Sequence, residues 1–203
     1  MIATEPLPAP VWEEIGWRGR EVLSDGRYLL IYAQRTADGR IALGGTAAPY
    51  YYGSRIDERL ERPEGLYERI HTALRLLFPA AGDARVTHRW GGVLGATRDW
   101  HTCADFDPAS GFGWAGGYVG DGVATANLAG RTLTDLILCR DSDLVRLPWV
   151  GHRSKSWEPE PLRWLAATGM RVVMGHADDV ELGKGRPVRW KPVLDKIEEY
   201  VGW

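Results

Sequence analysis

The chain has few cysteines, no excess of either charge and no long hydrophobic run. Two cysteines in 203 residues, Cys103 and Cys139, are too few for a disulfide scaffold and fit a reducing compartment. A formal net charge of −2 provides no basic surface for nucleic acid or an anionic membrane. No apolar run reaches the ~18 residues of a membrane span, and the first residues lack the pattern of a secretory signal. These features predict a cytoplasmic protein with neither nucleic-acid nor membrane partners.

Histidine is also sparse, and its spacing argues against a metal centre. The five histidines are scattered, and His101 with Cys103 is the one close His/Cys pair. The spacings C-x-x-C and H-x-x-x-H do not occur, and neither does the G-x-S-x-G motif of serine hydrolases. We therefore expect no metal site and no serine nucleophile.

The composition is that of a globular protein, because 44% of the residues are hydrophobic and 203 residues suffice for a domain with a core. The four lysines all lie beyond residue 150, whereas arginine supplies every basic residue before it. Pro148 and Trp149 end the patterned part of the chain at the same point. We therefore predict one domain over residues 1–150 and a C-terminal extension over 151–203.

Local patterns predict strands joined by turns, with separate helices. Tyr28–Gln34 and Ile41–Gly44 flank an Asp-Gly turn, which is typical of a hairpin. Apolar residues at 3.6-residue spacing from Leu66 to Leu77 predict a helix that starts near Pro63. The other expected elements are strands at 1–7, 85–90 and, buried, 112–115, a helical turn at 12–16, and helices at 160–170 and 193–201. The pattern indicates an α+β fold: an antiparallel or mixed sheet with helices on one side, plus a C-terminal helical extension.

A glycine-rich turn between a strand and a helix is the most informative motif. Four glycines lie between Ala115 and Val123, and a helical pattern begins near Asp121, a candidate N-cap. Such a turn presents free backbone N–H groups and a positive helix end to an electron-rich ligand. Gly120-Asp-Gly122 begins like G-x-G-x-x-G, but Thr125 takes the third glycine position and no second core strand follows, which disfavours a Rossmann unit. A cofactor site and an ordinary turn before a core helix both remain open.

Several segments, taken in order, resemble the C-terminal half of flavin-dependent amine and amino-acid oxidoreductases, the D-amino acid oxidase or glycine/sarcosine oxidase-like family. Gly117-Tyr-Val-Gly-Asp-Gly-Val123 resembles the family's Gly-Tyr/Phe-x-Gly-x-Gly turn, and Trp90–Asp99 resembles the segment that precedes its strand. The segment Ile2–Leu7 resembles the entry strand of the family's substrate domain, and Arg27–Tyr32 with Arg40–Gly45 resembles its hairpin. The resemblance covers roughly residues 1–150.

The resemblance implies a flavin site and a neighbouring substrate site. The residues that it places at the flavin are Trp90, Gly91, Gly92, Gly117, Tyr118, Val119, Gly120, Asp121, Gly122 and Val123. Those that it places on the substrate side, for an amine or an amino acid, are Tyr32, Gln34, Tyr51 and Arg98. The segment Trp90–Asp99 has no cysteine for covalent attachment, so the implied FAD is non-covalent. Val123 and Ala124 stand where some members carry a lysine, which argues against oxygen as the electron acceptor.

The resemblance also implies a dinucleotide-binding Rossmann unit, for which the first residues provide no motif. We therefore expect a truncated chain that needs a Rossmann-containing partner to act as an FAD-dependent oxidoreductase. The alternative is a non-catalytic domain that binds no flavin. In either case, an apolar surface left uncovered would favour self-association as a dimer.

Overall fold

The computed structural model describes residues 1–45, 49–57, 60 and 64–201, with side chains as far as residue 196. The chain divides into two compact units. The first unit contains residues 1–93 and 160–188, and the second contains residues 94–159 and 189–203. Each unit therefore takes two separate segments of the chain. The functional division near residue 150 stays a prediction.

The first unit is built on a five-stranded antiparallel sheet in the order β2-β3-β4-β1-β5. Its strands, in chain order, are β1 Ile2–Thr4, β2 Val22–Ser24, β3 Ile31–Arg35, β4 Ile41–Gly45 and β5 Val86–Arg89. The predicted hairpin is β3 and β4, paired from Ile31 opposite Gly45 to Arg35 opposite Ile41. Residues alternate between the two faces of a strand, so Ile31 and Ala33 are buried on one face while Tyr32 and Gln34 lie on the other.

Two helices, α1 (Ala9–Ile15) and α2 (Glu64–Leu77), cover the buried face of this sheet. Helix α2 contributes Tyr67, Ile70, Ala73 and Leu74, which recur at helical spacing and are all buried. They form one core with apolar side chains of the strands and α1, among them Ile2, Trp12, Ile31, Ile41 and Leu43. The predicted α2 is confirmed, although Pro63 lies outside the described residues.

Helix α4 (Leu162–Lys184) completes the first unit through a buried carboxylate. Asp178 accepts hydrogen bonds from the backbone N–H groups of Tyr28 (2.9 Å) and Leu29 (3.0 Å). Burial raises the pKa of Asp178, and these two bonds together with the charges of Arg69 and Arg27 oppose that shift. Met174 packs on Leu29 beside this contact. The carboxylate thus satisfies two N–H groups just before β3, which a longer strand would otherwise use.

The second unit combines a two-stranded ribbon with a helix. Strands β6 (Cys103–Asp107) and β7 (Phe112–Gly116) pair in antiparallel, and α3 (Gly122–Ile137) packs on both of them. Leu133 of α3 lies against Gly113, at 3.0 Å from the position of an added Cβ. Helix α5 (Lys191–Val201) belongs to the same unit.

The α+β prediction is confirmed, and three local predictions are wrong. The strand expected from Tyr28 begins only at Ile31, because Asp178 takes the N–H groups before it. Strand β7 forms but is not buried, since α3 covers the face of Gly113 and leaves Phe112 exposed, stacked on Trp114. Helix α4 was expected to end at Met170 but continues 14 residues further, to Lys184. The added part contains Gly175, which packs against Arg69 and Leu29.

We predict that Leu74→Ala lowers the free energy of unfolding by about 2–5 kcal/mol, because it opens a cavity in the fully buried core of α2. Leu76→Ala is the matched control on the same helix, where 58% of the side chain is exposed, and should change that free energy by less than about 0.5 kcal/mol. Urea unfolding followed by circular dichroism measures both. Equal effects of the two substitutions would show that α2 does not bury this face.

Candidate functional site

The glycine turn predicted to face the flavin lies in the second unit and has a sharply constrained backbone. Gly117 has a φ of +76°, and a Cβ added there would lie 2.7 Å from the carbonyl oxygen of His101 and 3.0 Å from Cγ2 of Thr97. Only glycine allows this close approach. The structure thereby brings the turn against the loop Thr97–Thr102, which continues the Trp90–Asp99 segment assigned to the same site.

The turn then reverses through two further residues with positive φ, Val119 (+43°) and Gly120 (+112°), and is closed by a hydrogen bond from Asp121 N–H to the Tyr118 carbonyl (2.9 Å). A β-branched residue at positive φ is an unusual conformation that concentrates at ligand sites. The space beside Gly120 is open, since an added Cβ would meet nothing within 4 Å. A ligand can therefore approach the backbone here.

Helix α3 starts at Gly122 without a side-chain cap. Asp121 occupies the N-cap position, as predicted, but its carboxylate makes no capping hydrogen bond. Its φ of −94° and ψ of 36° depart from the extended backbone typical of a capping residue. Val123 in the first turn is 97% exposed. The first N–H groups of α3 therefore keep their hydrogen-bonding capacity for an electron-rich group. An uncapped helix start beside an open glycine turn fits the flavin that the resemblance implies.

Trp90, Gly91 and Gly92 lie in the first unit, directly after β5. Backbone bonds between Trp90 and Met1 hold Trp90 at the edge of the sheet: the Trp90 N–H donates to the Met1 carbonyl (3.0 Å), and the Met1 ammonium donates to the Trp90 carbonyl (2.7 Å). Gly91 and Gly92 are exposed and outside any strand or helix. Their assignment to the flavin stays a prediction.

Arg98 lies in the second unit and is engaged by residues that the sequence did not single out. Its Nε donates to both carboxylate oxygens of Glu158 (3.0 and 3.1 Å), and its guanidinium lies 5.2 Å from the ring centroid of Trp157. The Trp157 indole N–H donates to the Ala96 carbonyl (2.8 Å). These contacts use Nε and leave the terminal guanidinium nitrogens as donors for an anionic ligand. The predicted substrate role of Arg98 is compatible with this geometry and stays a prediction.

Asp99, next in the chain, organises the same loop. It accepts a hydrogen bond from His152 Nε2 (2.8 Å) and another from the His101 backbone N–H (3.2 Å). The His101 and His152 rings lie 4.3 Å apart. Partial burial raises the pKa of Asp99, but hydrogen bonds from Ser154, His152 and the His101 backbone prevail and lower it to about 2. Segment 152–158 therefore fixes segment 96–101. In the sequence, the one signal that segment 152–158 holds this loop is the run Trp157-Glu-Pro-Glu160, which places two carboxylates beside an indole.

Tyr32 and Gln34 lie on the face of the sheet away from the α1 and α2 core. The Tyr32 ring covers Gly44 on the neighbouring strand, where an added Cβ would lie 2.4 Å from it. Burial raises the pKa of the Tyr32 phenol, which therefore stays protonated and can donate a hydrogen bond. The two side chains share this open face, as a substrate-facing role requires.

Tyr51 lies apart from that strand, in the loop after β4, where it lines a pocket together with Tyr52, Trp164 and Leu165. Its hydroxyl donates to the Leu60 carbonyl (3.2 Å). The structure thus separates the predicted substrate residues of the first unit into two sets, one on the open face of the sheet and one at this pocket.

Within the described residues, no group of three or more His, Cys, Asp or Glu side chains is placed to hold a metal ion. Across the same residues, none of the helices combines the length and apolar character needed to cross a membrane.

Comparison with known proteins places these features in a family. The model of the family described as FAD dependent oxidoreductase (DAO) matches residues 1–136, two thirds of the chain. The match includes the sheet of the first unit, the loop of Arg98 and Asp99, the glycine turn and nearly all of α3.

A curated relative is the probable oxidoreductase OrdL of Rhizobium meliloti (strain 1021), 29% identical over 127 residues. The aligned part is 62% of this chain but 27% of the relative. The chain therefore spans about a quarter of the length of the relative that it matches.

We predict that Gly117→Ala destabilises the protein more than Gly111→Ala does. Both positions have left-handed backbone (φ +76° and +71°), which costs a non-glycine residue about 1–2 kcal/mol. Only Gly117 adds a steric clash, because an added Cβ at Gly111 meets nothing within 4 Å. Chemical denaturation of the two variants gives the difference, and equal losses would refute the close approach to His101.

We predict that Asp99 stabilises the protein at neutral pH and that this contribution disappears in acid. The pKa of Asp99 in the folded protein is about 2, below its ordinary value of 3.8. Asp99 therefore contributes its full stabilisation at pH values above 3.8, and this stabilisation is lost as the pH falls through about 2. Asp99→Asn should therefore lower the Tm at pH 6, and its effect should shrink as the pH approaches 2 and vanish below it.

Thermal unfolding at a series of pH values measures this effect. The control is Asp83→Asn at an exposed position, which should track the original protein throughout. A constant difference in Tm between Asp99→Asn and the original protein at every pH would contradict the prediction.

Proposed function

The chain belongs to the FAD-dependent oxidoreductase family, and on that premise we propose that it forms the flavin-facing and substrate-binding part of an enzyme that oxidises amines or amino acids. The observation that carries the proposal is the turn Gly117–Gly122, with its open backbone at Gly120 and an uncapped α3. The family match over residues 1–136 contains this turn.

The residues that would hold FAD are those of the turn, through backbone N–H groups at the start of α3. A helix N-terminus stabilises negative charge by about 0.3–1 kcal/mol when exposed and by up to about 2 kcal/mol when partly buried. Asp121 at the N-cap makes no capping hydrogen bond, and the first turn of α3 itself contains no acidic side chain. The field of such a helix end raises the reduction potential of a bound flavin, which is how a protein tunes a cofactor that it does not chemically alter.

When bound, FAD supplies a ring that accepts a hydride from the C–H bond beside the substrate nitrogen. The task of the chain is to bind and orient a neutral amine, which requires no protein nucleophile. Tyr32 and Gln34 can donate and accept hydrogen bonds on the open face of the sheet. In the second unit, Arg98 can bind a carboxylate with its terminal nitrogens while Glu158 holds its Nε.

The proposal includes a partner polypeptide that supplies a dinucleotide-binding unit, because the family to which residues 1–136 match is FAD-dependent. Self-association as a dimer is the alternative, with the chain folding as a non-catalytic domain. Exposed apolar side chains on α4, Leu162, Leu165, Val172 and Leu182, favour that alternative. Cys103 and Cys139 are both free thiols, which supports the proposed cytoplasmic location.

We predict that the chain, supplied with a Rossmann-containing unit of the family, retains FAD after mixing and desalting, and that Gly120→Val abolishes retention, because the new side chain fills the open space beside the turn. The absorbance spectrum in the visible region of oxidised flavin measures retention. Gly111→Val is the matched control, since it places the same side chain at another left-handed glycine of the same unit. It should leave retention intact.

Size-exclusion chromatography of the same samples distinguishes the two candidate functions. A colourless dimer that retains no FAD even when the Rossmann-containing unit is supplied would favour the non-catalytic domain. Retention that survives Gly120→Val would remove the turn from the flavin site.

A further inference from the structure

A pocket of about 480 Å³ lies in the first unit, between the loop after β4 and the start of α4. It is lined by Tyr51, Tyr52, Arg55, Pro161, Trp164 and Leu165. Pockets that bind small molecules have volumes of about 300–1,000 Å³ and predominantly apolar and aromatic walls with a few polar groups. The size and lining of this pocket match that description.

The two walls are fixed to each other by one carboxylate, that of Glu160. Its Oε1 accepts hydrogen bonds from the Tyr50 hydroxyl (2.6 Å) and the Gly53 N–H (2.9 Å) on the loop side. On the α4 side, Oε2 accepts the Trp164 N–H (3.1 Å), and Arg163 forms an ion pair with Oε1 (3.2 Å). These bonds prevail over partial burial and lower the pKa of Glu160, so the carboxylate stays ionised at neutral pH. The pocket is thus preorganised, which reduces the entropy cost of binding.

Arg55 is the one charged side chain among the lining residues, and it has no acidic partner among the described residues. Some arginines of this unit pair with carboxylates, among them Arg27 with Asp25 and Arg163 with Glu160, whereas Arg55 keeps its guanidinium for a ligand of the pocket. A guanidinium at the edge of an aromatic wall is suited to a planar carboxylate, which it can bind through two parallel hydrogen bonds.

We propose that this pocket binds a small carboxylate with an aromatic body, Arg55 holding the carboxylate and the side chains of Tyr52, Trp164 and Leu165 contacting the ring. Aromatic side chains provide large contact areas at low conformational cost, which favours a flat apolar body over a flexible polar one. Tyr51, a predicted substrate residue, also lines this pocket. The proposed binding requires neither flavin nor the glycine turn, so it can be tested without the proposed oxidation.

The test is isothermal titration of the purified chain with three probes: phenylacetate, phenethylamine and acetate. Phenethylamine keeps the ring but carries a positive charge, and acetate keeps the carboxylate without the ring. We expect binding of phenylacetate alone. Arg55→Gln should weaken that binding about tenfold or more, because it removes a charge-assisted hydrogen bond, and Arg55→Lys should recover part of it.

Arg18→Gln is the matched control, since Arg18 is an exposed arginine of the same unit away from the pocket lining, and it should bind phenylacetate as the original chain does. Trp164→Leu should weaken binding without changing the preference for an anion, because the backbone N–H that bonds Glu160 remains. Equal binding of phenylacetate and phenethylamine, no binding of phenylacetate, or undiminished binding after Arg55→Gln would each overturn the proposal.

Discussion

The missing side chain at Gly117 is the constraint on which the candidate flavin site depends. The His101 carbonyl oxygen lies 2.7 Å from the position that a Cβ would take, so the chain can pass this point only as glycine in a left-handed conformation. The passage sets the direction of the following turn, in which Val119 and Gly120 also take positive φ. Helix α3 then begins directly after this turn, at Gly122. An open backbone and free N–H groups next to each other thus follow from one close approach.

The elements that the sequence predicted best are those whose pattern is local. Asp38-Gly39 between two apolar runs identified the β3 and β4 hairpin, and the spacing from Leu66 to Leu77 identified α2. Strand β2 was missed, because Val22–Ser24 is three residues long and exposed, with no alternation to detect. The predicted start of β3 was wrong because Asp178, 150 residues from Tyr28 in the chain, binds the N–H groups before the strand. No local sequence pattern contains such a contact.

At the candidate site, too, the sequence predicted local features but not the contacts between distant residues. Glycines at positive φ mark the turn, so its position was evident from the sequence. The two carboxylates that fix the loops at the predicted substrate residues were not evident, because Glu158 and Glu160 resemble ordinary surface acids until their partners are known. In the structure, Glu158 engages Arg98 in the second unit, whereas Glu160 engages Tyr50 and Gly53 in the first. A stretch of three residues that the sequence assigned to an extension therefore supplies partners within both units.

The division of each unit into two segments has a consequence for how the protein is made. Residues 1–93 emerge from the ribosome long before residues 160–188, which complete their unit. Until Asp178 is synthesised, the N–H groups of Tyr28 and Leu29 lack their carboxylate, and Leu29 lacks Met174. Contacts between such distant positions are slow to form, because a long loop must close first. The α2 core can assemble early from local contacts, whereas the final closure of the first unit must follow translation of most of the chain.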